Sequence, residues 1–236
     1  MEVKILNPEQ VKDIFVQWSN FAKVCYDSHP KNPEIIGKKC LESGHFSGSR
    51  SQYINFLVTG VPRDTIDQIV RHEQGVCKNV QSFRYVNKSN MTVDIPTEIK
   101  DNECLVKRFN NHIASTKELY ADIQSYVYDK TGSKERANEQ ARKILPIHTN
   151  SAVAIGFDIE AFIHLCHKRL CVRTEEEHRE LVRMMRDAVL EILPELKEYL
   201  VPQCQYLLWC PEEKGCGAYK SKKELIEVIN NGKGNY

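Results

Sequence analysis

Gln68, Arg71, His72, Gln81, Ser82 and Arg84 fall within seventeen residues, with Arg63 close by. Arginine forks, a hydroxyl and an imidazole at this density suit a phosphate and a planar heterocycle better than a core. Ile66, Ile69 and Val70 follow Pro62 at helical spacing, so Arg71 and His72 are predicted to close a short helix. A polar loop should then lead into an extended run through Tyr85. Further on, Arg169 and Arg173 stand four apart, just before Thr174 and Glu177, which read as a capping box. Two cysteine groupings invite a zinc reading: His164-x-Cys166-His167-x3-Cys171 and Cys204-x5-Cys210-x5-Cys216. Neither contains a Cys-x2-Cys pair, and the first overlaps a predicted helix, so no metal site is assigned.

The elements that must position these residues are mostly helical. Asn7, Pro8 and Gln10 read as N-cap, first helical residue and capping-box partner, ahead of an apolar face from Val11 to Cys25. Residues 29–51 are rich in Pro and Gly and read as loop. Tyr53–Val58 reads as a strand, and 83–97 as extended, turning at Pro96. Helices are predicted over 118–129 and 134–145, split by Thr131-Gly132-Ser133. A long helix opens at Thr174, with Leu181, Val182, Met184, Met185, Ala188, Val189, Ile192 and Leu193 on its buried side. The prediction is an α+β fold: one helix-rich domain with a small antiparallel sheet over 1–213, and a peripheral Lys- and Gly-rich tail over 214–236.

Composition narrows the function classes. With 236 residues, 41% hydrophobic and 28% charged, the chain reads as a soluble globular protein. A net charge of +1 provides no broad field for nucleic acid or acidic membrane. No apolar run approaches the ~20 residues of a membrane span, and Met1–Lys4 starts no signal peptide. Nine cysteines, an odd number, read as reduced thiols in a cytoplasmic protein. There is no Gly-x-Gly-x-x-Gly and no phosphate loop ending Gly-Lys-Ser/Thr, so a nucleotide must be held by side chains and loops.

Several blocks, in order, resemble the flavin-dependent thymidylate synthases. The family signature runs Arg-His-Arg, seven residues, Ser, then commonly Arg-Tyr, with a Gln three before the first Arg. Gln68, Arg71, His72, Ser82, Arg84 and Tyr85 match it. Gly44-His45-Phe46-Ser47, Gly60-Val61-Pro62-Arg63, Ala141-Arg142-Lys143-Ile144-Leu145-Pro146 and the Arg169–Arg179 block are similar to four further family segments. The resemblance spans roughly residues 40–200. It implies a thymidylate synthase-complementing fold and conversion of dUMP to dTMP. It also implies FAD as cofactor, methylenetetrahydrofolate and NADPH as co-substrates, and a homotetramer with shared sites.

By carry-over, Gln68, Arg71, Gln81, Ser82, Arg84, Arg142 and Arg169 are expected on dUMP. Ser47, Arg71, His72, Glu73, Asp158 and His164 are expected on FAD, with His45 near folate and flavin. Arg169 is the expected catalytic residue, against the uracil edge, with Arg173 its competitor. Departures gather on the flavin side. Glu73 replaces an Arg, and eight residues rather than seven separate it from Ser82. Arg50-Ser51 stand where Glu-His is usual; Asp158, Glu160 and His164 stand where Asn, Arg and Asn are common. They leave open a divergent member that binds dUMP with altered or lost flavin chemistry, such as hydroxymethylation. Cys204, in Pro-Gln-Cys-Gln, is similar to the nucleophile of the folate-only synthases, but its surroundings do not support that family.

Overall fold

The computed structural model describes residues 1–25 and 27–232. The last residues of the predicted tail, 233–236, lie outside the described residues. Among the described residues four strands form one antiparallel sheet: β1 (Glu2–Ile5), β2 (Tyr53–Pro62), β3 (Val76–Val80) and β4 (Asn150–Asp158), in the order β1-β2-β4-β3. The Leu6 amide donates to the Asn55 carbonyl at 2.7 Å. Beside β3, the Gln81 amide reaches Ala152 and the Asp158 amide reaches Gly75, each at 2.9 Å, as antiparallel register requires. Among the described residues ten α-helices accompany the sheet: α1 (Pro8–Lys12), α2 (Ile14–Cys25), α3 (Pro33–Glu42), α4 (Arg63–Ile69), α5 (Glu103–Thr131), α6 (Lys134–Ala141), α7 (Ile159–Arg169), α8 (Glu176–Leu190), α9 (Gln203–Leu207) and α10 (Lys222–Gly232). Helix-rich α+β architecture with a small antiparallel sheet is what the sequence predicts. Among the described residues no helix is long and apolar enough to cross a membrane.

The chain divides into two compact units. The first comprises residues 1–2, 58–70 and 79–153; the second comprises 3–57, 71–78 and 154–236. In the first unit, α5 packs on α6 around Tyr120, whose hydroxyl accepts the Lys88 amide at 3.1 Å. In the second, Phe56, Phe157 and Phe162 form an aromatic cluster with ring centroids 5.4–6.5 Å apart. Each such ring is worth about 1.5–3 kcal/mol when fully buried. Helix α7 carries Phe162 and Leu165 inward, and α8 covers it with Leu181, Val182 and Met185.

Several expectations need correction. Asn7 precedes α1, but its side chain forms no cap. Instead Asn7 bonds both ways to the strand region: Oδ1 accepts the Asn55 amide at 2.9 Å and Nδ2 donates to the Tyr53 carbonyl at 2.8 Å. The Val11–Cys25 face is interrupted at Asp13, between α1 and α2. Helix α4 ends at Ile69, with Val70 as its C-cap, two residues short of Arg71-His72. The polar stretch after it holds β3. Lys78 and Asn79 are exposed on this edge strand, where charge discourages further pairing. Residues 83–97 are not a strand. The Tyr85 and Val86 amides both donate to the Ser82 carbonyl at 3.1 Å, which closes a turn, and Val93 makes an isolated bridge to Thr149. Helix α5 starts at Glu103 rather than at 118, capped by Asn102, whose side chain accepts the Leu105 amide at 3.1 Å. Its buried side is only Thr116 and Tyr120, so there was no apolar stripe to read. Thr174 caps nothing: its hydroxyl donates to the Lys168 carbonyl at 3.2 Å, and α8 begins at Glu176.

Candidate active site

In the second unit a cavity of about 890 Å³ opens between the 71–76 segment and the start of α7, with Arg50 and Glu160 at its lining. Local structure explains its shape. Asp158 is the N-cap of α7, and its Oδ1 accepts the Ala161 amide at 2.8 Å. It is buried, and burial raises its pKa above the usual carboxylate value against the pull of that amide. The chain returns past Asp158 at Gly75, with φ +68°. A β-carbon there would run into the Asp158 carboxylate and stand 2.9 Å from the Ala161 methyl. Glycine is therefore required twice over, by backbone sign and by approach.

Of the six residues expected on FAD, Arg71, His72, Glu73, Asp158 and His164 line this cavity and Ser47 does not. Two of the departures pair with each other: Arg50 Nε meets Glu160 Oε2 at 2.6 Å. Glu160 thus does not face the cavity as a lone carboxylate. Glu73 is exposed and forms no ion pair among the described residues. Arg169, half-buried at the end of α7, donates from Nε to His72 Nε2 at 3.2 Å. The His72 ring stands edge-on to His164, centroids 6.4 Å apart. Arg173 is exposed and committed elsewhere, to the Lys214 carbonyl at 2.8 Å and Glu212 at 3.4 Å. Ser47 and His45 are exposed around a short 3₁₀ turn, Phe46–Ser51. Trp18 fixes that turn by donating to the His45 carbonyl at 2.9 Å and packing on Phe46.

The other expected residues belong to the first unit. Gln81 is held by Lys88, whose Nζ lies 2.7 Å from Oε1 and also donates to the Asn150 carbonyl at 3.0 Å. Burial lowers the Lys88 pKa. The Ser82 hydroxyl accepts the Arg84 amide at 3.3 Å. Arg84 is exposed, 3.4 Å from Glu139 and over the Tyr85 ring. Gln68 lies in the last turn of α4, and Arg142 is exposed in the turn after α6. Sequence reasoning passed over Lys88, which no motif marks, and His178, which lay unread inside the Arg169–Arg179 block. His178 is fully buried on α8. Burial, then the charges of Arg169 and His72, lower its pKa to about 3. His72 is lowered to about 4 by burial, Arg169, His164 and Lys78.

Both imidazoles are thus less basic in the folded state than in the unfolded chain, where His titrates near 6.5. Between those values the unfolded chain binds more protons, so stability falls as pH drops from about 6.5 toward 4. Each fully depressed histidine contributes a slope of about 1.4 kcal/mol per pH unit. Urea midpoints at pH 7, 6 and 5 should fall steadily, and His178→Leu should flatten the decline. An unchanged slope in that variant would contradict a buried neutral His178.

Among the described residues no three His, Cys, Asp or Glu side chains stand where they could hold a metal ion. All nine cysteines are free thiols. Burial raises the Cys204 pKa, the opposite of what an activated nucleophile needs.

The family profile described as thymidylate synthase complementing protein matches residues 10–195. The flavin-dependent thymidylate synthase of Nitratidesulfovibrio vulgaris is 31% identical over 187 residues, 78% of this chain and 76% of that protein. The enzyme of the same name from Clostridium tetani is 28% identical over 250 aligned positions, 95% and 96% of the two chains. In fold, the Helicobacter pylori flavin-dependent thymidylate synthase, solved with FAD and dUMP, superposes with a TM-score of 0.56 at 18% identity, over 86% of this chain and 99% of that one. On the profile match and the Nitratidesulfovibrio relative, this chain belongs to the flavin-dependent thymidylate synthase family.

Proposed function

We propose that this chain is a working thymidylate synthase, converting dUMP to dTMP in the cytoplasm. Methylenetetrahydrofolate is the carbon donor, reduced FAD the hydride donor, and NADPH the reductant that recharges the flavin. The observation that carries this is the Arg169–His72 contact beside the cavity, which presents a fixed guanidinium next to the signature residues.

The cavity fits a large phosphate-bearing cofactor. Its volume falls in the range of cofactor pockets. Arg71 supplies a phosphate-binding fork. Of the three acidic residues lining it, Glu160 is neutralised by Arg50 and Asp158 is turned onto α7, so Glu73 alone opposes an anion. Ser47, Arg71, His72, Glu73, Asp158 and His164 are the proposed FAD residues, with His45 near folate and flavin. Bound FAD would supply the hydride.

The chain's own side chains bind and polarise the substrate. Arg71, Arg84, Arg142 and Ser82 take the dUMP phosphate and sugar, assisted by Gln68 and Gln81. Arg169 meets the uracil edge. A guanidinium beside an imide stabilises its anion, so ionisation at N3 makes C5 nucleophilic enough to accept the methylene. No covalent protein nucleophile is needed, and Ser82 acts as a phosphate ligand.

Arg84 tests the substrate side. It is exposed and weakly held by Glu139 at 3.4 Å, so it is available to a ligand. Losing one charge-assisted contact costs about 1.5–3 kcal/mol. Calorimetry should show dUMP affinity falling by about tenfold or more in Arg84→Ala; unchanged affinity sinks the assignment. A homotetramer is part of the proposal. Leu119, Tyr126 and Tyr128 are exposed on α5, a helix with little apolar burial of its own, and support it. Light scattering with FAD and dUMP should give four times the chain mass; a monomer mass contradicts it. Glu73 favours a second reading, in which dUMP is bound but the flavin chemistry is altered, for instance toward hydroxymethylation.

A further inference from the structure

A guanidinium carries five N–H donors in a rigid plane. In Arg169 the Nε donor is already used: it points at His72 Nε2, 3.2 Å away. That leaves the two terminal nitrogens as a fork, the geometry that matches adjacent acceptors on a planar ring edge. A bond at Nε also restrains the last side-chain torsions, which are otherwise soft in a long side chain. The imidazole is itself held. Its ring lines the cavity, His164 of α7 stands edge-on to it, and His178 of α8 is buried nearby.

We propose that His72 is a positioning residue for Arg169: its unprotonated Nε2 receives the Arg169 Nε–H and orients the terminal nitrogens toward the pyrimidine edge. The inference rests on the reading above that Arg169 meets the uracil ring. The surroundings favour the unprotonated acceptor. Facing His72 are Arg169 and His164 from α7, Lys78 from β3 and His178 from α8, with Arg71 and Glu73 on either side in the chain. All but Glu73 are cations or can become cations. Protonation would turn Nε2 into a donor against a donor and set two positive charges in contact, so the bond requires the neutral ring.

The test is a cycle of variants: His72→Ala, His72→Gln, Arg169→Ala and the double alanine. In each, dUMP affinity is read by calorimetry, turnover by product formation, and flavin content by absorbance. A glutamine carbonyl can accept the same N–H, whereas alanine cannot. His72→Ala should lower turnover on the order of tenfold to a hundredfold, as for a misoriented reacting group. His72→Gln should recover most of that loss. Because His72 is also a proposed FAD residue, turnover is expressed per bound flavin; on that scale the double variant should be no worse than Arg169→Ala alone, because the two residues act as one unit. Thermal melting identifies any variant that has lost its fold, and the glutamine variant then carries the comparison. A cofactor contact alone at His72 would appear as lost flavin, with effects additive to those of Arg169. Additive effects, or a glutamine variant as impaired as alanine, overturn the inference while leaving the reading of Arg169 intact. An Arg169→Ala protein with normal dUMP binding and turnover overturns both.

Discussion

Arg169→Ala is expected to lower dUMP conversion by about a hundredfold or more, while NADPH-driven flavin reduction continues. The proposed interaction strengthens as negative charge develops on the uracil ring. Its loss should therefore fall on turnover more than on ground-state binding. The geometry favours this arginine. Arg169 is half-buried and tied to His72, a cavity-lining residue, whereas Arg173 is exposed and engaged by Glu212 and the Lys214 carbonyl. Arg169→Lys should recover little, because an ammonium cannot both reach His72 and present a planar fork. Arg173→Ala should be much milder. An inactive Arg173 variant beside an active Arg169 variant would show that the wrong arginine has been chosen.

Gly75→Ala is expected to have the largest effect on the scaffold. At φ +68° an alanine costs roughly 1–2 kcal/mol in backbone strain. Its methyl would also displace the Asp158 carboxylate from the first turn of α7. Loss of an N-cap costs about 0.5–2 kcal/mol, and a displaced carboxylate that stays buried costs more. Together these give about 2–4 kcal/mol, a large share of a typical domain's stability. Because α7 also carries His164 and Arg169, flavin content should fall in the same variant. An urea midpoint and flavin content equal to wild type would show that the 71–76 segment can move aside freely.

Much of this arrangement was legible in the sequence, for identifiable reasons. The signature residues could be read because arginine forks, a hydroxyl and an imidazole at short spacing have few structural uses. The buried side of α8 followed from helical periodicity. Most of what escaped was decided by tertiary partners; the exceptions are α3, inside the stretch read as loop, and the start of α5, each opened by a local Asn cap ahead of a helix with little apolar burial. Strand β3 is a short, largely exposed edge strand without alternating burial, and its pairing with β4 is what defines it. Asn7 and Thr174 have capping chemistry, but neighbouring carbonyls and amides claimed their side chains. Arg50 and Glu160 stood out as separate departures; 110 residues apart, their mutual contact could not be read from spacing. The charge reversals are therefore less hostile to a phosphate-bearing cofactor than they look one by one, and Glu73 is the one left unbalanced.

Product analysis tests the central claim most directly. Purified protein would be supplied with FAD, NADPH, dUMP and methylenetetrahydrofolate labelled in its methylene carbon. The account predicts label in the 5-methyl group of dTMP, with formation dependent on FAD and NADPH and strongly reduced in Arg169→Ala. A protein that binds dUMP yet yields 5-hydroxymethyl-dUMP, or no labelled nucleotide at all, would contradict it.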